Sequence, residues 1–538
     1  MAASQPRFVS EWGFLPQARF ENDMHVSKLL HGKVKHVLGE ITRQSEDPEA
    51  TATCSHPVLR GLIKMDIVVR QLWVLHSFQI PCLWEWSWDV DQTRGGRETA
   101  PYFRATPRAL TSEASRADHA FLASVVPRGH VHACEAFEAG LQRLHARSKF
   151  YPFKRGLPRF PVRGYWGGGS KHSRRVFVDC APTYFAEAFR RFVRLPADVR
   201  HSYVRWCVAC AFPTFAEFYF PWAKHTQHVQ GLRDAPPFSY VVVRTIEEHV
   251  PMTLNHLLQS TQPQLSVSQL NAWKNWTQHL LGAFRKRLQP LLNRFPSRLR
   301  QRIGQKFQRL KVLLGYPTTH EPPLELSPER QQCFSCSLME LAAQEKRFRA
   351  NHATSLAWGV LGSFEARAMF AVRANQIVVP AGLLRVFPKG PPRPGTDEHI
   401  RCLALLGRAL AHELGHTFDP FALQFDARGR YRPMRLDATY GHWVKPVFKL
   451  AKQVRSRFTT IAMPSRASSE QFADWISMLL LTPLVHHRPE VFAQSLRLFV
   501  TLRWTPPRAR HEWATNPHGS GDFRLAFMQD VQKQLVQQ

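Results

Sequence analysis

The sequence has no long, uninterrupted apolar run. Its 538 residues contain no stretch of about 18 or more apolar residues, the length that begins to suggest a membrane-spanning helix. The best candidate, Trp206 to Trp222, is interrupted by Pro213, Glu217 and Pro221. The residues after Met1 also lack the apolar core of a signal peptide. We therefore expect neither a membrane anchor nor an export signal in this sequence, and the compartment stays undecided.

Acidic residues are few relative to basic ones. The chain has 72 Lys and Arg against 41 Asp and Glu, and its formal net charge is +31. Such a charge attracts acidic glycans, anionic membrane surfaces or acidic peptides. The densest basic run, residues 285–311, has Leu and Phe between its cations at helical spacing, which is typical of a solvated helix face over an apolar stripe. Because no recognition module accompanies the charge, we do not expect a nucleic-acid partner.

Two familiar motif classes are missing as well. The glycine-rich turn at 167–169 lacks the frame of a phosphate-binding loop, and we interpret it as an ordinary loop. The nine cysteines include two C-x-x-C pairs, at 207/210 and 333/336, which are too far apart for a local zinc ribbon and lie outside a redox context. The odd count leaves at least one thiol unpaired but does not fix the compartment.

The composition is that of a large globular protein. Apolar residues make up 44% of the chain and aromatic residues 12%, and the length favours two or three domains. Residues 1–175 give the least clear pattern and form an N-terminal region. Residues 176–320 predict a helical lobe, and residues 321–538 form a further lobe after a linker at Pro322 and Pro323.

Apolar spacing predicts most of the secondary structure after residue 175. Three helices are predicted in the second region: Tyr184–Leu195, Tyr203–Ala216 and Ser268–Leu288. Gly315, followed closely by Pro317, fits the stop of a helix.

The third region predicts a helix over about 336–351 and then two short strands around a turn near 373–375. A strand in this place suits a sheet edge that pairs with an extended peptide. The chain as a whole therefore predicts a mainly α fold with a small mixed sheet, in the α+β class.

One helical segment carries the pattern His-Glu-x-x-His. His412 and His416 are four residues apart and share one helix face. Two neutral imidazoles in this arrangement both reach one Zn²⁺ at about 2.0–2.1 Å. Glu413 points to the side, where its carboxylate can take a proton from water that the metal activates. A single pattern of this kind also arises by chance in a chain with 26 His.

A catalytic zinc requires three protein ligands and one open position, so a third ligand must be found. Glu470 and Asp474 lie four residues apart in a second predicted helix, with Ser468 and Gln471 spaced for a capping box. Glu470 is the candidate third ligand. The pair alone also fits a solvated helix face, but together with the first motif it favours a zinc site.

Other polar residues stand where they can support such a site. Asp474 can accept the free ring N–H of the first histidine, and Asp419 can accept that of the second. Near the C-terminus, a Gly- and Pro-containing stretch carries His518 and Arg524. These two side chains either face an active site or belong to an ordinary surface loop.

Several of these segments resemble, in the same order, motifs of the neprilysin family of zinc metallopeptidases, which includes the endothelin-converting enzymes. The likeness covers about residues 200–530, and each motif alone is weak. The matches are G-Y-P at 315–317, N-x-I-x-x-P-A-G at 375–382, H-E-(I/L)-x-H-x-F-D at 412–419, E-x-x-A-D at 470–474, and a His followed by F-R at 518–524. By these motifs the chain is identified as a diverged member that is short at its N-terminus.

The resemblance implies the chemistry of the site. One zinc ion per chain would be held by His412, His416 and Glu470, with Glu413 as the general base. Asp419 and Asp474 would orient the two histidines, which makes Asp474 part of the catalytic set.

The resemblance also implies how a substrate would be held. His518 would donate a hydrogen bond to the oxyanion, and Arg524 would bind a substrate carbonyl. The family's substrate-gripping strand begins with Asn-Ala, where this chain has Arg367 and Ala368. Ala368 still offers its backbone, whereas the Asn amide is lost. Trp475 is a second departure, since it follows E-x-x-A-D where the family has Asn or Gly.

As a whole, the resemblance implies a zinc metalloendopeptidase that cleaves oligopeptides on the amino side of hydrophobic residues. A thermolysin-like catalytic lobe, residues 321–538, would face the helical lobe across an enclosed cavity. The family is typically extracellular or associated with the plasma membrane. Because of Arg367 and Trp475, a second hypothesis stays open, namely a catalytically inactive relative that acts as a basic binding protein. The oligomeric state is not indicated.

Overall fold

The structure of the 538-residue chain is a computed structural model. The residues that it describes are 72, 75, 76, 80–90, 99–105, 115–147, 177–178, 182–214, 216–230, 234–236, 238–255, 265–317, 334–351, 367–432, 434, 436, 438–455, 467–501 and 521–537. Several predicted features lie outside these ranges: the linker at Pro322 and Pro323, the glycine-rich turn at 167–169, Cys333 of the second C-x-x-C pair, and His518.

Helices dominate the described residues. In chain order the elements are β1 (Trp84–Val90), β2 (Thr99–Ala105), α1 (Ser115–Val125), α2 (Arg128–Arg147), β3 (Phe177–Val178), α3 (Pro182–Arg194), α4 (Ala197–Ala211), α5 (Ala216–Gln230), α6 (Phe238–His249), α7 (Val267–Leu292), α8 (Ser297–Arg309), β4 (Lys311–Gly315), α9 (Phe334–Asn351), β5 (Met369–Ala371), β6 (Gln376–Pro380), α10 (Ala381–Leu384), α11 (Asp397–Cys402), a π-helical turn (Leu403–Gly407), α12 (Arg408–His416), a 3₁₀ turn (Ala422–Gln424), α13 (Ala438–Arg455), α14 (Ala467–Val485), α15 (Pro489–Thr501) and α16 (Gly521–Gln537). The prediction of a mainly helical chain with a small mixed sheet is confirmed.

The sheet beside the candidate site is built around β6. This strand runs parallel to β4 and antiparallel to β5, with Phe370 of β5 opposite Ile377 of β6. β6 pairs on both sides and is the central strand, in agreement with the burial of Ile377, Val378 and Val379. β5 is an edge of the sheet in the described part of the chain. The predicted pair of strands and its turn are thereby confirmed. The other three-stranded sheet, in the order β1-β2-β3, lies earlier in the chain.

Two large apolar cores organise the described residues. One core contains buried residues between Leu265 and Val531, and it includes α12, which carries the His-Glu-x-x-His pattern. The other contains residues between Leu72 and Val250 together with the segment from Leu338 to Ala343 in α9. The candidate site belongs to the first core. A shared core does not define a domain boundary, so the division at residues 175 and 320 stays a prediction.

Two sequence predictions differ from the structure. The helix predicted for Tyr203–Ala216 ends at Ala211, and α5 begins at Ala216. Pro213 in the gap accounts for the break, because proline has no N–H for a helical hydrogen bond. The helix stop predicted at Gly315 is also wrong, since Gly315 ends strand β4. Its φ of +83° favours glycine there, because residues with a side chain rarely adopt this backbone conformation.

The remaining predictions of elements agree with the structure. The helices predicted for Tyr184–Leu195, Ser268–Leu288 and 336–351 correspond to α3, α7 and α9. In the basic run at 285–311 the apolar residues, such as Leu288 and Ile303, are buried, whereas most of the cations lie at the surface. Within the described ranges, no helix is both long and apolar enough to cross a membrane.

Candidate metal centre

The two histidines of the motif project from one face of α12. A π-helical turn at 403–407 precedes this helix, and the helix ends at His416. Their rings are 4.7 Å apart between centroids and nearly perpendicular. His412 is buried and His416 is half-buried, so both nitrogens that face each other are largely shielded from solvent. This is the geometry that the spacing of four residues predicts.

Three ligand atoms from two helices meet at one point. Nε2 of His412 and Nε2 of His416 are 3.1 Å apart, and Oε2 of Glu470 in α14 lies 3.2 Å from the first and 3.4 Å from the second. Zinc with bonds of about 2.0–2.1 Å in tetrahedral geometry holds its ligand atoms about 3.3 Å apart. The triangle therefore has the size that a tetrahedral metal site requires. Among the described residues it is the one group of this kind that could hold a metal ion.

Carboxylates fix the orientation of both rings. Nδ1 of His412 lies 2.9 Å from Oδ1 of Asp474, and Nδ1 of His416 lies 3.0 Å from Oδ2 of Asp419. Each Nδ1 therefore carries the hydrogen in the neutral ring, and each Nε2 presents a lone pair to the centre of the triangle. Two lone pairs and a carboxylate oxygen facing one another repel unless a cation lies between them. The residues present thus fit a divalent metal.

The same carboxylates control the pKa values of the histidines. Burial lowers the pKa of His412, but the charge of Asp474 and hydrogen bonds to Asp474 and Glu470 outweigh it and raise the pKa above its usual value. Burial likewise opposes a rise for His416, and hydrogen bonds to Asp419 and Glu470 raise its pKa well above the usual value. The site therefore strongly favours bound positive charge, which either protons on the histidines or a metal ion can supply.

The helix that carries Glu470 packs unusually close to the histidine helix. A Cβ added at Gly415 of α12 would lie 3.0 Å from the Cα of Ala473 and 3.2 Å from the Cβ of Ile476 in α14. Only a glycine allows this approach without displacement. The Ser469 hydroxyl also donates a hydrogen bond to Oδ2 of Asp419, so the residue before Glu470 is tied to the carboxylate that orients His416.

The candidate general base is held by the edge strand. Oε2 of Glu413 accepts a hydrogen bond from the backbone N–H of Phe370 at 2.7 Å. Because its partner is Glu413 of α12, the Phe370 N–H points towards the metal helix and not towards Ile377, its opposite residue in β6. The half-buried Glu413 carboxylate therefore lies beside both the ligand triangle and the edge of β5 that no other described strand covers, a place suited to pairing with a peptide strand.

Asp474 is the most strongly bonded carboxylate of the site. Nε of Arg524 lies 2.8 Å from its Oδ2 and Nη2 lies 2.6 Å from its Oδ1, a bidentate pair. A second guanidinium, that of Arg408, lies 4.0 Å from Oδ1. Burial alone would raise the pKa of Asp474, but Arg524 and His412 lower it well below its usual range. Asp474 is therefore ionised at any pH at which the histidines bind a metal.

A buried lysine, Lys306, links the turn after the metal helix to the edge strand. Nζ of Lys306 donates to the Ala422 carbonyl at 2.8 Å and lies 5.7 Å from the ring centre of Phe370. Burial lowers its pKa to about 7, although the nearby Asp419 and Asp426 act in the opposite direction. Lys306 thereby joins α8, the turn after the metal helix and the edge strand.

Most residues predicted from sequence can be placed. The three ligand candidates converge, and the two aspartates bond to the histidines as predicted. Arg524 lies at the site but on Asp474, and its contact with a substrate stays a prediction. Ala368 is half-buried and Arg367 exposed just before β5. The capping box is wrong, because α14 already includes Ala467 and Ser468 lies inside its first turn.

Sequence reasoning missed Arg408, Ser469, Phe370 and Lys306. Arg408 precedes His412 by four residues on the same helix face, so its spacing could have pointed to it. The other three act through contacts across the fold. The Phe370 contact uses the backbone, and the Lys306 contact joins residues 116 apart in sequence. No local pattern reveals such contacts.

Solved structures of other proteins share the fold of this chain. Zinc metalloprotease Zmp1 of Mycobacterium tuberculosis, solved with an inhibitor, is similar with a TM-score of 0.67 at 14% identity, over 94% of this chain and 85% of that one. PepO of Lactobacillus rhamnosis HN001 is similar with a TM-score of 0.63 at 13% identity, over 93% of this chain and 85% of that one.

A weaker likeness, with a TM-score of 0.51, joins the chain to a Haemonchus galactose-containing glycoprotein complex at 14% identity, over 95% of this chain and 86% of that one. No protein-family model and no curated protein matches the sequence. The chain therefore has the fold of Zmp1 and PepO over nearly its whole length, and the resemblance to neprilysin-family zinc metallopeptidases is confirmed at the level of the fold.

Proposed function

We propose that the protein is a neprilysin-like zinc metalloendopeptidase that hydrolyses oligopeptides on the amino side of hydrophobic residues. The observation that carries this proposal is the triangle of His412, His416 and Glu470, in which a separate carboxylate orients each histidine. One zinc ion per chain would bind these three residues. The fold of Zmp1, a zinc metalloprotease, supports the same assignment.

Glu413 is the proton carrier of the proposed reaction. A bound zinc ion supplies Lewis-acid polarisation of the scissile carbonyl and makes water more acidic. The Glu413 carboxylate takes the proton from the attacking water and passes it to the leaving amine. The 2.7 Å hydrogen bond from Phe370 holds one carboxylate oxygen in place and leaves the other for water.

Two further residues stabilise the charge that develops on the carbonyl oxygen. In this proposal His518 donates a hydrogen bond to the oxyanion, and Arg524 binds a substrate carbonyl. Arg524 also holds Asp474 through its bidentate pair, which keeps His412 in the tautomer that binds a metal. Asp474 and Asp419 thus act on the reaction through the histidines.

The substrate would lie along the edge of β5. The Ala368 backbone pairs with the peptide in the manner of an added strand, and the exposed Arg367 borders the same edge. We further propose that residues 321–538 form a thermolysin-like lobe that faces the helical lobe of 176–320 across an enclosed cavity, with residues 1–175 as the N-terminal region. Such a cavity admits oligopeptides and excludes folded proteins.

Turnover of a quenched oligopeptide with one apolar cleavage site tests the proposal. The zinc-loaded protein should cleave it, a chelator should abolish cleavage, and Glu413→Gln should lower kcat by about 10² to 10⁴ while zinc stays bound. Glu490→Gln, an exposed glutamate of α15, is the matched control and should keep full activity. Zinc binding without turnover would instead identify an inactive relative that acts as a basic binding protein.

A further inference from the structure

Arginines from two separate segments come together beside the candidate site. Nη1 of Arg302 in α8 lies 3.4 Å from the carbonyl of Arg432, in the loop that follows the 3₁₀ turn. Burial lowers the pKa of Arg302, the charge of Asp426 acts in the opposite direction, and Arg298, Arg430 and Arg432 are close enough to lower it further. Arg428 is exposed in the same loop. We refer to Arg298, Arg302, Arg428, Arg430 and Arg432 as the arginine cluster.

One carboxylate lies within this cluster, and it is already neutralised. Oδ2 of Asp426 lies 2.6 Å from Nε of Arg430, and Oδ1 accepts backbone N–H bonds from Arg428 and Arg430. Arg298, Arg428 and Arg432 make no ion pair with any other described residue. The segment that supplies α8 cannot compensate them, because no Asp or Glu occurs between Glu248 and Glu321. The cluster therefore keeps an excess of positive charge.

The cluster lies at one end of the edge strand. An added Cβ at Gly429 would come within 1.6 Å of the Arg373 carbonyl, so the loop is packed directly against the turn that follows β5. Asn375 in that turn donates to the carbonyls of Lys306 and Ala427, which ties the turn to both segments of the cluster. β5 ends at Ala371, and Arg373 lies in the turn that follows, three residues beyond Phe370, whose N–H bonds to Glu413. The turn is therefore at most about 10 Å from the residue that holds the general base.

We propose that the arginine cluster selects the substrate class, namely oligopeptides with acidic side chains about three residues to one side of the scissile bond. This inference rests on the proposed function, because it assumes a peptide along β5. An extended peptide places its side chain about 10 Å from the cleaved bond at that position. Arg428 and Arg432 are exposed there and bind carboxylates through charge-assisted hydrogen bonds. The net charge of +31 also draws acidic peptides to the protein.

Continuity with the edge strand favours a peptide over another polyanion. A nucleic acid or a sulfated glycan needs a long track of cations, whereas the cluster is local and joins a strand whose free edge leads to Glu413. If the protein bound a nucleic acid or a sulfated glycan, and every arginine variant lost the same affinity for it, the proposal would be contradicted. Selective capture of acidic peptides at the cluster would support it.

Matched peptides provide the first experiment. A quenched peptide with an apolar residue after the cleaved bond is made in three forms, with two Asp residues about three positions before that bond, about three positions after it, or replaced by Asn. The acidic form should have a kcat/KM about three- to tenfold above the Asn form on one side only. The difference should shrink at high salt, because exposed charges are screened. Equal kcat/KM for all three forms would overturn the inference.

Paired variants locate the effect. The double variant Arg428→Gln with Arg432→Gln should bring the ratio of acidic to Asn peptide close to one. The control, Arg143→Gln with Arg147→Gln, removes the same charge from exposed positions of α2 in the other core and should leave that ratio unchanged. A preference for acidic peptides that survives in the first variant, or that falls equally in both, would contradict the proposal.

A measurement of peptide binding tests this inference independently of the proposed peptidase activity. Fluorescence anisotropy measures the affinity of labelled acidic and Asn peptides for zinc-loaded Glu413→Gln protein, which needs no turnover. The acidic peptide should bind more tightly than the Asn peptide, and changing Arg428 and Arg432 to Gln should abolish this difference. That result supports acidic-peptide binding by the arginine cluster even if the native chain cleaves nothing. Cleavage without any acidic preference in kinetics or binding upholds the peptidase and rejects the cluster.

Discussion

Gly415 and Ala473 mark a close approach between the two helices that carry the ligands. An added Cβ at residue 415 would lie 3.0 Å from the Ala473 Cα, a backbone atom that cannot turn aside. Gly415→Ala should therefore push α12 and α14 apart. Although alanine favours a helix by about 1 kcal/mol, overpacking costs about 1–3 kcal/mol, and we expect a net loss of stability. Because Glu470 moves away from the histidines, zinc affinity should fall at least about tenfold.

A second helical glycine gives the control for this change. Gly282 in α7 has open space where a Cβ would go, so Gly282→Ala should stabilise the protein by about 0.5–1 kcal/mol and leave zinc affinity unchanged. Thermal unfolding and competition with a zinc indicator measure both quantities. Unchanged zinc affinity in Gly415→Ala would show that the close approach of the helices does not set the ligand geometry.

Asp474→Asn tests the orientation of His412. The amide can still meet the ring, but it carries no charge and cannot form the bidentate ion pair with Arg524. Zinc affinity should fall about 10- to 100-fold, and loss of the ion pair of the half-buried Arg524 should lower stability by about 1–3 kcal/mol. Asp397→Asn is the control, since Asp397 forms an exposed pair with Arg488 and should change stability by less than about 1 kcal/mol. Equal zinc affinity in the two variants would contradict the assigned role.

Lys306 should make stability depend on pH. Its pKa is about 7 in the folded chain because of burial, against about 10.4 in an unfolded one. Between these values the unfolded chain binds a proton that the folded chain has released, so the free energy of unfolding rises with pH, by at most about 1.4 kcal/mol per pH unit. Below about pH 7 both states are protonated and this contribution is constant.

Comparison with Lys306→Met isolates this contribution from other titrating groups. Urea unfolding of chelator-treated protein at several pH values between about 7 and 9 gives the slope for each chain. The native slope should be more positive than that of the variant. Parallel slopes would show that Lys306 keeps its proton in the folded protein.

The sequence was sufficient to predict the ligands because their chemistry depends on spacing along helices. Four residues between His412 and His416 place both on one face, and Asp419 follows within the next turn. Glu470 was harder, because nothing local distinguishes it from a glutamate on a solvated face. Its spacing from Asp474, taken together with the His-Glu-x-x-His pattern, favoured it as the third ligand, and the order of the family motifs pointed to the same residue.

Contacts between segments that are distant in the sequence could not be predicted from local patterns. The run before Gly315 reads equally well as the end of a helix or as a strand, and only its parallel pairing with β6 decides for a strand. The close approach of Gly415 to Ala473 depends on how two helices cross. The arginine cluster likewise depends on the loop around Gly429 packing against the turn after β5, so no single stretch of sequence displays it.

The central claim is that His412, His416 and Glu470 together hold one metal ion, and the zinc affinity of Glu470→Gln tests it most directly. The native chain should bind one zinc per chain, measured by elemental analysis after dialysis, and the variant should bind it at least about 100-fold more weakly, because two ligands replace three. Gln471→Glu, one residue along the same helix, should keep native affinity. A native chain that binds no zinc, or a Glu470→Gln variant that binds it as tightly as the native chain, would contradict the account.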